Sequence, residues 1–392
     1  MMNTETIIHD EDLFLIPTYK KLHLALVRGE GCYVWDADGN RYLDFYGGHC
    51  VTALGHCPPP VVEAIQKQSQ RLLFYSNVVY SDTRAHAAKL LGEMSPLHRI
   101  FFCNSGTEAI ETSLKIARKS TGRSGIISTK QGFHGRTLGS LAATWNPAYR
   151  KPFQDVLAPT HYYAEFGNLA TFESIFVDHP DHIAAILIEP IQSIGGIVDA
   201  PNEYFLGLRE LCDKYGALLI FDEIQTGVGR TGTFSISEQM GLIPDMITLA
   251  KSLGSGIPVG ALLLSDVLSE TIEYGDQGTT FGGGMVAMSA VAATLTMIQQ
   301  KQLMDRAPVI FEQLSDVIRP YALEIRGRGC LIGVKFDSPV SEILPRLRSN
   351  GILAGGSGDP HVMRMMPPLI TQQVHIHEFA DGFEDAMKPV QA

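Results

Sequence analysis

Short apolar runs alternate with amphipathic stretches over most of this chain. VVEAIQKQSQRLL (61–73) has a helical period, RIFFC (99–103) is a short apolar strand, and SGTEAIETSLKIARKS (105–120) is amphipathic again, with Ser and Thr at its start. The alternation continues through GIIST, HIAAILIE, YFLGLRELCDKYG, ALLIFDE, DMITLA and VGALLLSD, between Gly125 and Asp266. Fully apolar strands interleaved with helices predict an α/β fold whose mostly parallel sheet is covered on both faces. Near the N-terminus YVWDADGNRYLDF (33–45) alternates around Asp-Ala-Asp-Gly, which predicts a hairpin. After GTTFGGG the run MVAMSAVAATLTMIQQKQLMDRAPVIFEQL (285–314) reads as one long helix, followed by the strand GCLIGVKF. No repeat or flexible linker intervenes. The expected division is a large domain over residues 59–290 and a smaller one built from 1–58 and 291–392.

Composition narrows the partners. The 392 residues carry 31 Lys plus Arg against 42 Asp plus Glu, a formal net charge of -11 with no long basic run, which argues against nucleic acid. The opening MMNTETIIHDEDLFL lacks the basic start and apolar core of a secretory signal, and no apolar stretch approaches a membrane span. Six scattered cysteines (Cys32, Cys50, Cys57, Cys103, Cys212, Cys330) form no C-x-x-C pair and fit reduced thiols. A cytoplasmic protein is expected. The cluster HCVTALGHC (49–57) holds metal-ligating residue types at a spacing that poorly matches zinc sites, so no metal is expected.

Three stretches carry candidate chemistry. CNSGTEAIE (103–111) runs from an apolar strand through a small-residue turn into a helix, whose free N–H groups form an anion site; the same residues also spell a capping box of Ser105 with Glu108. FDEIQ (221–225) places Asp222 and Glu223 at a strand's carboxyl end, where ligands gather in open α/β sheets. LAKSLGSGIP (249–258) places Lys251 directly after a buried strand, unlike most lysines. A phosphate cradle, a strand-end carboxylate and a buried amine are what pyridoxal 5'-phosphate requires. A rival signal is GVGRTG (227–232), which satisfies the G-x-G-x-x-G pattern of dinucleotide loops. Its glycines start several residues after the strand end, and the acidic residue expected about 20 positions on is missing, so the dinucleotide reading falls.

With NSGTEA, GFHGRT, EPIQ, FDEIQTGVGRTG, LAKSLGSGIPVGA and GTTFGG in this order, the chain resembles the class III aminotransferases from about residue 20 to residue 375. It is most similar to their acetylornithine and ornithine transaminase branch. The resemblance implies the fold type I of pyridoxal phosphate enzymes, with a mostly parallel seven-stranded sheet between helices and a smaller α+β domain from both chain ends. It implies a homodimer with shared active sites. It assigns Lys251 as the Schiff-base amine and proton carrier, Asp222 as partner of the pyridine nitrogen, Gln225 as donor to the ring oxygen, and Phe133 as the stacked ring. Ser105, Gly106 and Thr107 would bind the phosphate, joined by Thr280 from the partner subunit, with Thr279 beside the substrate. Arg136 and Arg364 would grip substrate carboxylates, for which a planar guanidinium is suited. Glu189 matches a family position as either a structural ion pair near Arg136 or a ligand contact.

The chain departs from that pattern at Ile194, where many relatives carry a carboxylate that masks the arginine equivalent to Arg364; here EPIQSIGG leaves Arg364 unmasked and makes pyruvate a credible acceptor. Gly284 and Met285 replace an Asn-Pro. His49 replaces a small or aromatic residue, as a substrate-pocket wall or a hydrogen-bonded core histidine. The expected reaction is ω-amino transfer from a donor such as N-acetylornithine to a keto acid such as 2-oxoglutarate. The alternatives are another class III transaminase, a decarboxylase or lyase on the same lysine and aspartate, and a non-catalytic protein that binds the cofactor.

Overall fold

A computed structural model describes residues 2–388. Its centre is a seven-stranded sheet, in spatial order Arg99–Cys103, Gly260–Leu264, Met246–Leu249, Leu218–Asp222, Ile183–Ile188, Gly125–Thr129 and His161–Ala164. Strands Ile183–Ile188 and Gly260–Leu264 are buried along their whole length, as their unbroken apolar runs require. Helices Gly106–Thr121 and Asn202–Tyr215 turn one apolar face to the sheet and end on left-handed glycines, Gly122 and Gly216.

Six strands run in one direction. Gly260–Leu264 runs the other way, pairing antiparallel with both neighbours. The reason lies in its connection: residues 250–259 hold only a short 3-10 turn, Lys251–Gly254, and a parallel return needs a crossover of about a dozen residues or more.

The hairpin forms as its alternation predicts, Tyr33–Asp36 against Arg41–Asp44, with Asp36 closing the turn by accepting from the N–H groups of Asp38 and Asn40. Leu26–Glu30 pairs on one side, and the short strand Ile352–Leu353 pairs parallel to Arg41–Asp44 on the other. A three-stranded antiparallel sheet follows from Glu324–Arg328, Leu331–Lys335 and Val362–Met365. The expected long helix after residue 285 is two helices, Met285–Gln300 and Arg306–Ile318, separated at Gln302, whose φ is +48°. Pro308 explains the break: proline is tolerated in a first helical turn, whereas inside a continuous helix its ring would strike the carbonyl four residues back. Among the described residues no helix is long and apolar enough to cross a membrane.

Candidate active site

Four polypeptide crossings meet at the carboxyl ends of the parallel strands. Asp222 closes one strand, Glu189 and Lys251 lie just past two others, and Asn104–Thr107 link strand Arg99–Cys103 to helix Gly106–Thr121. They border a cavity of about 450 Å³, which also takes in Phe133, Arg136 and Gln225. Nine of the predicted site residues line it: Ser105, Gly106, Thr107, Phe133, Arg136, Glu189, Asp222, Gln225 and Lys251. His49, Ile194, Thr279, Thr280 and Arg364 do not line it.

At one end the helix presents N–H groups. Ser105 is the N-cap, its hydroxyl accepting from the Glu108 N–H at 3.3 Å. The capping box is not reciprocal, because the Glu108 carboxylate turns one residue further back and accepts from the backbone and side-chain nitrogens of Asn104 at 2.6 and 3.0 Å. The N–H groups of Gly106 and Thr107 find no acceptor among the described residues. A Cβ on Gly135, at φ +134°, would sit 2.3 Å from the Thr107 hydroxyl, so glycine is required there, whereas one on Gly106 would sit 2.6 Å from the end of the Ile224 side chain, which would have to move.

Asp222, on the same cavity, is 4% exposed, and its Oδ2 lies 2.7 Å from Nδ1 of His134. Its Oδ1 accepts from the Ile224 N–H at 3.2 Å. His134 was not singled out by its residue type; only its place in GFHGRT marks it. Glu189 accepts from the N–H groups of Phe133 (2.8 Å) and Ser193 (3.3 Å), which fixes the position of the Phe133 backbone. Burial pushes its carboxyl up to about 7. The expected alternative of an ion pair between Glu189 and Arg136 is not formed. Arg136 is exposed and lays its guanidinium 3.3 Å from the ring centroid of Tyr149, while both Glu189 oxygens are turned to backbone N–H groups.

Lys251 is half-buried and sits in the left-handed region with φ +40°. Burial pulls its amine below the ordinary lysine range, against the opposing pull of Cys50, Asp222 and Glu189. An amine held this way is available uncharged as a nucleophile and proton acceptor.

Arg364 is 4% exposed, and burial lowers its guanidinium from the ordinary value. No carboxylate pairs with it among the described residues; its Nε donates to the Gly356 carbonyl at 2.7 Å and its Nη1 to the Ser193 hydroxyl at 3.4 Å. Nearby, residues Gly47 to Cys50 form a left-handed turn, with φ of 60°, 53°, 67° and 67°. Asp44 holds that turn, accepting from the N–H groups of Tyr46, Gly47 and Gly48 at 3.0, 2.9 and 3.0 Å and contacting His56 at 2.8 Å. The turn seats the Cys50 thiol on the Gln225 carbonyl and accepts from the Ser252 hydroxyl next to Lys251. It also places His49 against the Tyr46 hydroxyl. Burial, then the Lys251 and Arg364 charges, hold the His49 imidazole down to about 4.

Ile194 lines a second cavity of about 470 Å³ that adjoins the first at Phe133 and includes Trp145 and Tyr149. Thr279 accepts from Asn104 Nδ2 and the Gly282 N–H, whereas Thr280 is exposed. In GVGRTG it is Arg230, fully buried, that matters: it donates to the carbonyls of Pro367 and Met366 at 2.6 and 3.3 Å and ties the loop to the C-terminal part of the chain. That stretch is a structural strap.

The residues present fit pyridoxal phosphate: two helix N–H groups without acceptors for an anion, an enclosed amine of lowered basicity, an aromatic ring, and a carboxylate and an amide on one cavity. Comparison with known proteins agrees. The family described as Aminotransferase class-III matches residues 15–387. An acetylornithine aminotransferase from Methanopyrus kandleri is 39% identical, over 96% of this chain and 97% of that protein, and one from Bacillus subtilis is 38% identical, over 95% and 97%. The crystal structure of ornithine aminotransferase from Toxoplasma gondii superposes with a TM-score of 0.93 at 28% identity, covering 99% of this chain and 95% of that one. A lysine and an aspartate at neighbouring strand ends, with the family match running nearly end to end, place the chain in the class III aminotransferases, and it is a pyridoxal-phosphate-dependent aminotransferase.

Proposed function

We propose that this aminotransferase takes its amino group from the terminal amine of a carboxylate-bearing donor, N-acetylornithine or a similar ω-amino acid, and passes it to 2-oxoglutarate, as a step of arginine biosynthesis. One observation carries the reading: Arg364 is buried beside the site with no carboxylate partner among the described residues, and Arg136 borders the Lys251 cavity equally unpaired. A buried, unpaired guanidinium is costly unless an anion arrives, and a donor with a carboxylate at one end and an amine at the other supplies it.

Pyridoxal phosphate, when bound, supplies the electron-accepting ring that carries the migrating amino group. Lys251 would hold it through Nζ, and the same Nζ would take and return the proton at the amine-bearing carbon. Asp222 would keep a proton on the ring nitrogen, with His134 keeping Asp222 oriented. Gln225 would donate to the ring oxygen. Phe133 would stack on the ring, a contact of about 0.5–1.5 kcal/mol beyond its area. Ser105 and the N–H groups of Gly106 and Thr107 would hold the phosphate. His49 borders the substrate with Thr279, and Glu189 acts on it through Phe133.

The same reading makes the enzyme a cytoplasmic homodimer, with residues 1–58 and 291–392 as a smaller domain against 59–290. The pairing of Ile352–Leu353 with Arg41–Asp44 supports the smaller domain. Support for the dimer is an exposed apolar face: Leu73, Tyr75, Val78 and Tyr80 in one loop, beside Phe281 next to the exposed Thr280. Thr280 then reaches the phosphate of the partner's site.

An amino-donor panel read at the cofactor's absorption band tests the donor, and steady-state turnover with 2-oxoglutarate and with pyruvate tests the acceptor. Acetylornithine leaving the band unchanged while another amine alters it would overturn the donor assignment. Ile194, an apolar residue on the second cavity, favours one second reading, an ω-amine donor with pyruvate as acceptor. Turnover with pyruvate exceeding that with 2-oxoglutarate would establish it.

A further inference from the structure

Ser193 is fully buried, and its hydroxyl does two jobs. It donates to Gln225 Oε1 at 2.9 Å and accepts from Arg364 Nη1 at 3.4 Å. A hydroxyl has one proton to give and can accept from Nη1 at the same time; among the described residues Gln225 Oε1 is the one acceptor within its reach, so the proton goes to the Gln225 amide. The first contact decides which way the amide points: with Oε1 fixed on Ser193, the NH2 end of Gln225 is the end left to face the cavity that Gln225 lines. The second contact, together with the Nε bond to Gly356, fixes the guanidinium plane of Arg364. The Ser193 N–H is itself held by Glu189, the carboxylate that also holds the Phe133 backbone.

We infer that Ser193 is a positioning residue that sets two contacts at once: the orientation of the Gln225 amide toward the cofactor and that of the Arg364 guanidinium toward a substrate carboxylate. The inference rests on the roles proposed above for Gln225 and Arg364. Neither the residue type nor its neighbours in EPIQSIGG announce this role, because Gln225 and Arg364 lie 32 and 171 positions away.

The test uses the purified holoenzyme with Ser193→Ala, and Ser193→Gly as a second way of deleting the hydroxyl should the first fold poorly. Two quantities are read: the dissociation constant of pyridoxal phosphate, by equilibrium dialysis, and the KM for 2-oxoglutarate set against kcat. Removing the hydroxyl should weaken cofactor binding and raise the keto-acid KM, each by on the order of tenfold, the loss expected for one buried hydrogen bond. The melting temperature of the cofactor-free protein should stay close to that of wild type, which separates positioning from general destabilisation. In a Gln225→Ala background, Ser193→Ala should weaken cofactor binding no further, while the KM effect persists. Unchanged cofactor affinity and KM in Ser193→Ala overturn the inference, as does a full additional loss of cofactor affinity in the Gln225→Ala background. If Gln225→Ala alone leaves cofactor affinity unchanged, or Arg364→Ala alone leaves the keto-acid KM unchanged, the proposed roles of those two residues fail, and the inference falls with them.

Discussion

Asp44 offers a sharp test, because it sets a clamp against a known strain. His49 and Cys50 sit in the left-handed region, each at a cost of roughly 1–2 kcal/mol for a residue with a Cβ, so the turn holds about 2–4 kcal/mol of strain. Against this stand three backbone N–H bonds to one carboxylate and a contact with His56. Asp44→Asn leaves one oxygen for Tyr46 and Gly47, turns an NH2 toward the Gly48 N–H, and removes the charge that strengthens every bond. Hydrogen bonds to a charged group contribute about 1.5–3 kcal/mol and neutral ones about 0.5–1.5, so two weakened bonds and the lost one at Gly48, an exposed residue whose N–H turns to water, weaken the clamp by roughly 3–5 kcal/mol. That matches or exceeds the strain, and the turn should relax. Hydrogen exchange followed by mass spectrometry on the peptide spanning 44–52 should show faster exchange in the Asn variant. The kcat/KM for acetylornithine should fall by about 10- to 100-fold as His49 and Cys50 lose their seats, which corresponds to about 1.4–2.8 kcal/mol. Exchange and kcat/KM both within twofold of wild type would refute the claim that this carboxylate holds the turn.

Further outcomes follow from the same geometry. Lys251→Ala should abolish the absorption band of covalently held cofactor, and a variant with full turnover would remove this lysine from the chemistry. Asp222→Asn should still bind pyridoxal phosphate but lose about 10²–10³ in kcat, the usual effect of deleting one pre-organised electrostatic contact; undiminished kcat would contradict its assignment to the ring nitrogen. Burial raises the Glu223 carboxyl from 4.5 to about 7, so the folded protein binds more protons than the unfolded chain between those values. Its contribution to stability is therefore present below about pH 4.5 and lost as pH rises through 7. Denaturant midpoints at pH 6 and pH 8 should differ less in Glu223→Gln than in wild type. Mixing inactive Lys251→Ala and Thr280→Ala subunits tests the shared site: since one hybrid site combines an intact Lys251 with an intact partner Thr280, activity should exceed that of either parent, and no gain would argue against the contribution in trans.

What the sequence disclosed well was what is local. Asp222, Gln225, Lys251 and the Ser105–Thr107 turn each lie within a few residues of a strand end, so an apolar run followed by an abrupt polar residue is enough to place them on one rim. Strand order and the reversed Gly260–Leu264 were not visible in the apolar pattern, since a fully buried strand looks alike in either direction; only the shortness of residues 250–259 carried the information. The groups that orient the chemistry were hidden for a different reason. His134 reaches Asp222 across 88 positions, Ser193 reaches Arg364 across 171, and Asp44 acts on a turn whose handedness no periodicity encodes. Pro308 is plain in the sequence, but the apolar run on both sides of it matches a helix, so periodicity alone does not divide the run.

Net charge was the least informative number for the site. A chain of formal charge -11 places the buried cation Arg364, the enclosed amine Lys251 and the positive end of a 16-residue helix around a single region. The acidic residues that produce the overall sign are mostly elsewhere; those at the site have defined partners, Asp222 on His134 and Glu189 on two backbone N–H groups. Leaving Arg364 without a carboxylate would be a liability in a protein that bound nothing, because desolvating a guanidinium is offset only by a matched anion. The reserved cation makes sense if an anion completes it during turnover, and the acidic exterior then does not set affinity. On the role proposed for the two arginines, selection among anions would fall to the few groups that aim them: Ser193 and Gly356 for Arg364, and Tyr149 for Arg136. On that proposal substrate preference is better altered at Ser193 or Tyr149 than by changing the arginines, whose charge any carboxylate would satisfy.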